Sequence, residues 1–348
     1  MNQLNNAFTL FLSLLVEAIP FLLLGVLLSG ILLLFIDEQK LVAKMPKNPL
    51  LGAFYGSLAG FLFPVCECGN VPVARRLLMQ GVPAPVAIGF LLAAPTINPI
   101  VIWATWTAFR DQPEIVVLRV VFSLFIATVI GCVFSSQADL RPILQPTVAR
   151  SLKFLPPSTQ TKRHWGRGQL QKDSTPSLLE SGTYWLGQST TSRRVDAASL
   201  QAALLATSPK KPLRDQLRLL LDNTVQELLE LGGVLVIGSA IAATIQVVIP
   251  REFILGLGAG PITSIAAMMV LASVVSICST VDSFFALSFA STFTSGSLLA
   301  FLVFGPMIDL KGIGLLRSIF KSRAVVYLFA LAAQLTFLLT LFVNLHVI

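Results

Sequence analysis

Charged residues are scarce in this chain of 348 residues. Only 12% of them are Asp, Glu, Lys or Arg, whereas soluble globular proteins carry about 25%. Apolar residues make up 55%, and the mean hydropathy is +0.80. Some windows contain no charged residue and exceed the roughly 20 apolar residues that cross a bilayer: Leu77–Phe109, Phe253–Val281, Ser283–Ile308 and Ala324–Ile348. The composition excludes a soluble globular protein and predicts an all-α polytopic membrane protein.

Histidine and cysteine are scarce as well. The chain has two histidines, His164 and His346, and four cysteines, with no CxxC pair among them. These residues do not supply the four ligands of a zinc site or the cysteine pattern of a small secreted disulfide scaffold. A glycine-rich phosphate loop and a Ser-His-Asp set are also missing, so the sequence supports neither an ATP-driven pump nor an enzyme. We expect no cofactor, and the sequence leaves open whether a metal ion binds.

The excess of positive charge lies in one loop. Asp139–Arg218 contains 13 Lys or Arg and 5 Asp or Glu, a net charge of +8 that equals the net charge of the whole chain. The loop is rich in Ser, Thr, Gln and Pro, which predicts disorder. Basic loops stay in the cytoplasm and favour anionic lipid headgroups, so the pI of 9.6 indicates a membrane partner and no nucleic acid. The predicted domains are a first membrane repeat at 1–136, a basic, largely disordered cytoplasmic loop at 137–213 and a second membrane repeat at 214–348.

Three motifs of the first half recur in the second half, in the same order and at offsets of 213, 212 and 211 residues. One such match between apolar segments can arise by chance, but three in one register indicate an internal duplication. The matched segments are Glu17–Gly25 with Glu230–Gly238, Cys66–Asn70 with Cys278–Asp282, and Phe90–Asn98 with Phe301–Asp309.

Two shorter basic segments, Lys40–Lys47 and Lys311–Arg323, also belong in the cytoplasm by the positive-inside rule. Both placements follow if each half crosses the membrane an odd number of times, which makes the halves inverted. Inverted repeats with discontinuous helices are a design of secondary transporters. We therefore predict two pseudo-symmetric, inverted halves with about 8–10 membrane segments. The alternative is two parallel repeats of four spans each, which would place Lys311–Arg323 outside.

The stretch Phe63–Pro99 is apolar, yet prolines and glycines interrupt it. Proline removes a backbone donor and clashes with the preceding turn, so the stretch predicts short helices separated by irregular backbone. In a membrane such backbone must be buried in protein or line a wet cavity. We expect Pro95 and its match Pro306 to open helices. The predicted helix-break positions are Pro64, Gly69, Pro72, Pro95, Pro99 and Pro306.

Cys66 and Cys68 lie two residues apart, and irregular backbone would let both thiols converge on one soft centre, joined by Cys278 from the matched motif. A buried cysteine can equally be a small hydrophobic residue, which is the interpretation that we favour for Cys132. Asn98 and Asp309 either cap the broken helices or face a substrate. The predicted substrate-binding residues are Cys66, Cys68, Asn70, Asn98, Cys278, Asp282 and Asp309.

Carboxylates inside apolar segments form a second set, because a charge at the centre of a bilayer costs at least about 2.5 kcal/mol and marks a pathway or relay. The predicted ion-coupling residues are Glu17, Glu67 and Glu230. Asp282 is, with Glu17, a further candidate for the coupling proton. Arg75 and Arg76 would either recognise an anion or extend to lipid headgroups.

The segments PVCECGNVPVARRLL and ICSTVDSFFALSFA resemble the predicted-permease family that includes bacterial organoarsenical efflux permeases. The resemblance covers both membrane halves and leaves out the basic loop. It implies a permease, and Glu67, which stands where many members have a small residue, suits a cation or a proton as well as an arsenical. The positions that match the two family motifs are Cys66, Cys68, Gly69, Pro72, Pro95, Asn98, Pro99, Cys278, Ser279, Asp282, Pro306, Asp309 and Lys311.

These observations predict a multi-pass secondary transporter of the inner (plasma) membrane and not an enzyme. Its expected substrate is a small thiophilic or metalloid solute, such as a trivalent organoarsenical, that is exported. One alternative is a membrane thiol-redox relay through the cysteines. Another is a non-transporting membrane subunit whose basic loop recruits a partner. A homo-oligomer and an accessory subunit are both compatible with the sequence.

Overall fold

The computed structural model describes residues 2–35, 45–46, 48–63, 66–135, 143–146, 148, 213–248 and 260–346. The predictions for Pro64 and for most of the basic loop lie outside these residues. Within them the chain forms helices and one isolated β-bridge, which agrees with the predicted all-α class.

The described helices fall into two sets of six. The first half contains α1 (Asn2–Phe35), α2 (Pro49–Ala59, extended by a 3₁₀ turn over Gly60–Leu62), α3 (Glu67–Met79), α4 (Ala84–Ile97), α5 (Pro99–Ala108) and α6 (Pro113–Ser135). The second half contains α7 (Leu213–Val248), α8 (Pro261–Val275), α9 (Asp282–Leu287), α10 (Ser295–Met307), α11 (Leu310–Leu316) and α12 (Ser322–His346). Each helix of the first half thus has a counterpart six helices later, in the order that the three matched motifs predict.

Six apolar segments of the described residues are long enough to cross a membrane: Leu4–Ile31, Ala84–Ala108, Pro113–Ser135, Leu220–Val247, Ser295–Leu316 and Ser322–His346. Two shorter apolar segments are Pro49–Leu62 and Pro261–Val275. A multi-pass membrane protein is therefore confirmed. The apolar region Val281–Asp309 contains two helices, α9 and α10. The chain restarts at Thr294, whose hydroxyl caps α10 by accepting a hydrogen bond from Ser297 N at 3.4 Å.

Glycines at every fourth position of the second segment, Gly52, Gly56 and Gly60, let α2 pack closely on α4. A Cβ atom at Gly56 would overlap the backbone carbonyl of Val86, and one at Gly60 would lie 2.6 Å from Ala94 Cα. Membrane helices associate through such close backbone contact, because lipid provides no hydrophobic drive between them.

The counterpart helices α1 and α7 pack against each other in opposite directions. Near the end of α1, an ideal Cβ at Gly30 would lie 3.4 Å from Cγ of Leu220, close to the start of α7. Near the start of α1, Leu14 packs with Ala242 and Ala243, close to the end of α7. The two longest described helices are therefore antiparallel at the boundary between the halves.

The broken helices of each half also contact the other half. Helix α3 contacts α11, and α9 contacts α5. These two contacts are related by exchanging the halves, because α3 is the counterpart of α9 and α5 is the counterpart of α11.

The described residues that follow α6 are fixed to those that precede α12. Leu144 forms an antiparallel bridge with Phe320. Gln145 N donates to Ile319 O, and Lys321 N donates to Ile143 O, both at 2.8 Å. The end of α6 and the start of α12 therefore lie on the same side of the molecule.

The prediction that prolines and glycines mark every helix break needs correction. Gly69 and Pro72 lie inside α3, Pro95 lies inside α4, and Pro306 lies inside α10. Each proline removes one helical hydrogen bond, which near a helix end does not stop the helix. Pro95 and Pro306 thus stand in the last turns of helices and do not open them. Pro99 does begin α5.

The break between α4 and α5 falls at Asn98, whose backbone is extended at φ −67° and ψ 149°. Asn98 precedes Pro99, and a residue before proline is disfavoured in the helical region. The break coincides with this dipeptide, and Pro99 then begins α5.

Candidate functional site

Three cysteine thiols meet where the halves join. Cys66 is the N-cap residue of α3, and Cys278 lies in the non-helical link between α8 and α9. The Cys66 thiol interacts with the thiols of Cys278 and Cys68. All three are free and buried. We call Cys66, Cys68 and Cys278 the thiol cluster.

Cys132 does not join the thiol cluster and is half-buried on α6. In the parts of the chain that the structure describes, no group of three or more His, Cys, Asp or Glu side chains is placed to hold a metal ion. The thiol cluster is accordingly a set of contacts made through Cys66, without a preformed ligand shell.

A buried charge cluster lies beside the thiols, made of Glu67, Asp309 and Lys311. Glu67 is 8% exposed, and Asp309 and Lys311 are each 2% exposed. The Lys311 ammonium interacts electrostatically with both carboxylates and, more weakly, with half-buried Glu17. Glu67 belongs to α3 and the other two to the start of α11, so this cluster is part of the contact between the halves.

Asp309 is held in place by the backbone around it. Its Oδ1 accepts a hydrogen bond from Gly312 N at 2.6 Å and caps α11. Ser276 Oγ, which interacts with the Asp309 carboxylate, donates its hydrogen bond to the Ser273 carbonyl oxygen at 3.2 Å. Ser276 has φ 49° and ψ 42°, the one described non-glycine residue with a positive φ. Such strained backbone persists only where its surroundings hold it, as they do here beside a buried acid.

Asn98 caps α5 in the way that Asp309 caps α11. Its Oδ1 accepts a hydrogen bond from Val101 N at 2.9 Å. The sequence leaves open whether Asn98 and Asp309 cap helices or face a substrate. Both side chains cap a helix in the structure.

Asn70 connects α3 to α4. Its Nδ2 donates to Leu91 O at 2.6 Å and to Phe90 O at 3.3 Å. Leu91 lies four residues before Pro95, which has no N–H, so the helix leaves this carbonyl without its usual donor. Asn70 supplies the donor, and this explains how α4 tolerates an interior proline.

Asp282, the counterpart of Asn70, forms a buried ion pair with Arg119 of α6. Arg119 Nη2 lies 2.6 Å from Oδ2 of Asp282, and Nη1 lies 3.2 Å from Oδ1. Arg119 Nη1 also donates to Thr105 Oγ1 at 2.7 Å and to Ser283 Oγ at 2.9 Å. The guanidinium therefore joins α5, α6 and α9 with two-point geometry toward the carboxylate.

Arg119 is the main residue that our sequence analysis missed. It is 1% exposed and lies in the second turn of α6, which is otherwise uncharged after Glu114. A lone arginine in an apolar span is itself a signal, because such a charge pairs inside the bundle. Asp282, the acid of the second matched motif, was the available partner.

The sequence matches the predicted permease family over residues 3–345. The chain belongs to this permease family. The permease is similar to the protein named UPF0718 protein YcgR of Bacillus subtilis strain 168. The two are 35% identical over 323 residues, which cover 93% of this chain and 90% of the relative.

The permease is also similar to the protein named "Putative two-component membrane permease complex subunit" of Streptococcus mutans serotype c. The two are 30% identical over 314 residues, which cover 90% of this chain and 87% of the relative. No solved structure matches the permease.

The predicted ion-coupling residue Glu230 lies away from both clusters of the permease. Its Oε1 is 3.1 Å from Nη1 of Arg75, and its side chain is 53% exposed. The Glu227 carboxylate interacts with Arg76 and Arg75. Arg75 thus has a protein partner on α7, and it links α3 to that helix.

A cavity of about 130 Å³ lies elsewhere in the permease. It is lined by Gln112, Glu114, Ile115, Leu118, Ser295, Leu299 and Val343. It shares no residue with the thiol cluster or the buried charge cluster.

Proposed function

We propose that this permease is a secondary transporter of the plasma (inner) membrane that exports a small thiophilic solute, represented by a trivalent organoarsenical. The observation that carries the proposal is the contact of Cys66 with Cys68 and Cys278 at the junction of the halves. Thiolates prefer soft centres, so Cys66 and Cys68 at the start of α3 and Cys278 on the α8–α9 link would bind one such centre together.

We infer that the halves have inverted topology. Two observations support this. The counterparts α1 and α7 are antiparallel, from the Gly30–Leu220 and Leu14–Ala242 contacts. The Leu144–Phe320 bridge joins the chain that follows α6 to the chain that precedes its counterpart α12. Because α6 ends and α12 begins on this side, the two helices run in opposite directions. Inverted repeats around a site near the midplane suit alternating access.

Burial of the thiol cluster supports a transporter state in which the substrate path is closed. Cys66 is 6% exposed, Cys68 1% and Cys278 3%. A solute can reach these thiols only after the halves separate. Helix α1 covers the cluster closely, since a Cβ at Gly25 would overlap the Gly69 carbonyl next to Cys68.

The test is uptake of methylarsenite into inside-out membrane vesicles that contain the permease. Cys66→Ser, Cys68→Ser and Cys278→Ser variants should each lose at least about tenfold in uptake, since each removes a thiol and changes little else in volume. Cys132→Ser is the matched control and should transport like the wild type. Unchanged uptake by a Cys66→Ser, Cys68→Ser double variant that inserts normally would show that these cysteines are packing residues.

A second candidate function is that of a subunit in a two-component permease complex. The printed name of the Streptococcus mutans relative favours it. The purified chain, reconstituted alone into liposomes, should then fail to transport although it folds, and transport should return with a copurifying partner. Transport by the chain alone would reject this alternative.

A further inference from the structure

The two contacts between the halves differ in how completely their polar atoms are satisfied. At the α5–α9 contact, both oxygens of Asp282 accept hydrogen bonds from Arg119. At the α3–α11 contact, Glu67 Oε2 and Asp309 Oδ2 are buried and have no hydrogen-bond partner. Both oxygens of the acid at the first contact thus have protein donors, whereas each acid at the second contact keeps one oxygen without a partner.

The buried charges at the α3–α11 contact are also unequal. Glu67 and Asp309 are two acids, and Lys311 is the one base of the buried charge cluster. With all three ionised, the cluster carries one uncompensated negative charge in a water-poor environment. Ionised carboxylate oxygens only accept hydrogen bonds, so a bound proton or a coordinated cation would satisfy the two free oxygens and compensate the charge.

We propose that Glu67 and Asp309 together bind one monovalent cation, a proton or Na⁺, and that this is the coupling ion of the transporter. Lys311 is the permanent counter-charge that limits the site to one ion. The inference rests on the proposed function only in calling the ion a coupling ion, because the site itself follows from the buried, unpartnered oxygens.

The groups around this site come from every element packed on it. Glu17 of α1 is half-buried and interacts with Lys311. Cys68 on α3 and Cys278 on the α8–α9 link interact with Lys311 and Glu67 respectively. On α7, Glu230 is paired with Arg75, and Glu227 interacts with Arg76 and Arg75. Lys311 is thus the cation that faces both acids of the site.

The site explains why the matched motifs keep different polar residues. Asp282 has its full complement of donors from Arg119 and Ser283, so it has no free oxygen for an ion. Glu67 has no counterpart acid at the matching position, which is Ser279. The ion site therefore occurs at the α3–α11 contact and has no copy at the matching α5–α9 contact.

The experiment uses the purified full-length permease in detergent without any substrate. In one arm, infrared difference spectra are recorded as the pH is lowered at fixed ionic strength without Na⁺. Proton binding is expected to add the carbonyl band of a protonated carboxyl. In the other arm, the unfolding temperature is measured as Na⁺ replaces choline at constant pH. Na⁺ binding is expected to raise it, since a ligand that binds only the folded state stabilises that state.

Glu67→Gln and Asp309→Asn should each abolish the response, whereas the exposed-acid control Glu114→Gln should keep it. Lys311→Met should move the response to higher pH or lower Na⁺ concentration, because it removes the competing cation. If one acid variant fails to fold, the other and Lys311→Met still decide the question.

A response in the first arm identifies the ion as a proton, and one in the second arm identifies it as Na⁺. A wild type that responds in neither arm, or variants of Glu67 and Asp309 that respond like the wild type, would overturn the proposal. Because no substrate is present, failure of methylarsenite transport leaves this result intact, and the reverse also holds.

Discussion

Replacing Arg119 with Met should destabilise the protein by about 3–5 kcal/mol, because it leaves the Asp282 carboxylate buried without a counter-charge. Asp282 is 2% exposed, and no other arginine or lysine donates to it among the hydrogen bonds of the described residues. Asp282→Leu should cost a similar amount, since it strands the guanidinium. The double variant should recover most of the loss, because apolar side chains of similar volume often replace a buried ion pair without net cost.

The assay is a double-mutant cycle on the purified protein, with free energies of unfolding from SDS titration followed by circular dichroism. The Arg75–Glu230 pair provides a control on the same measurement. Glu230 is 53% exposed, so breaking that pair should cost only about 0.2–1 kcal/mol. The expected coupling energy of the buried pair is therefore several times that of the control pair.

Additive losses would refute this reasoning. If the double variant loses the sum of the two single losses, the pair contributes no specific interaction energy and the two residues act through separate contacts. A fully stable Asp282→Leu variant would also contradict the assignment of Asp282 to a structural pair with Arg119.

Three further outcomes are expected. Gly56→Ala should destabilise the protein by about 1–3 kcal/mol because its Cβ has no room against α4, whereas Gly233→Ala, with nothing within 4 Å, should be neutral or stabilising by up to about 1 kcal/mol in thermal unfolding. Asn70→Ala should cost about 1–2 kcal/mol by the same assay, since Leu91 O loses its donor. Deletion of Lys153–Ser208 should leave membrane insertion and methylarsenite uptake intact, because the described flank of the loop stays anchored at Phe320.

Equal unfolding temperatures for the two glycine variants would mean that α2 and α4 separate without cost. A silent Asn70→Ala variant would mean that the proline-freed carbonyl finds another donor. Loss of uptake with normal insertion would make the deleted loop segment a regulatory or partner-binding element.

The sequence predicted the duplicated architecture well, because duplication leaves a trace in spacing that apolar composition does not hide. The order of the twelve described helices follows the three matched motifs. The apolar region Val281–Asp309 has one charged residue between its ends, Asp282, yet it forms two helices, because the chain restarts at Thr294, whose hydroxyl caps α10.

The site was less accessible to prediction, because it depends on partners that are far apart in sequence. Arg119 and Asp282 are separated by 163 residues. Sequence patterns could place each of them in a membrane segment but could not pair them. The prolines were misleading for a related reason: whether Pro95 breaks a helix depends on whether a side chain such as Asn70 replaces the lost donor.

The capping roles of Asn98 and Asp309 were within reach, since both residue types cap helices and both follow a matched proline by three residues. Asp309 does more than cap. Its second oxygen faces no donor, and that asymmetry appears only when the α3–α11 contact is assembled.

The matched positions Asn70 and Asp282 have diverged so that neither can take the other's place. Exchanging them would keep the composition and net charge of the chain, yet an ionised Asp has no N–H for the Leu91 carbonyl, and Asn has no charge for Arg119. Helix α12, the counterpart of α6, contains no arginine after Arg323. Two copies of the first half would contain Arg119 without an acid, and two copies of the second half would contain the acid without an arginine. A symmetric dimer of either half would therefore lack the Arg119–Asp282 ion pair, which needs one residue from each half.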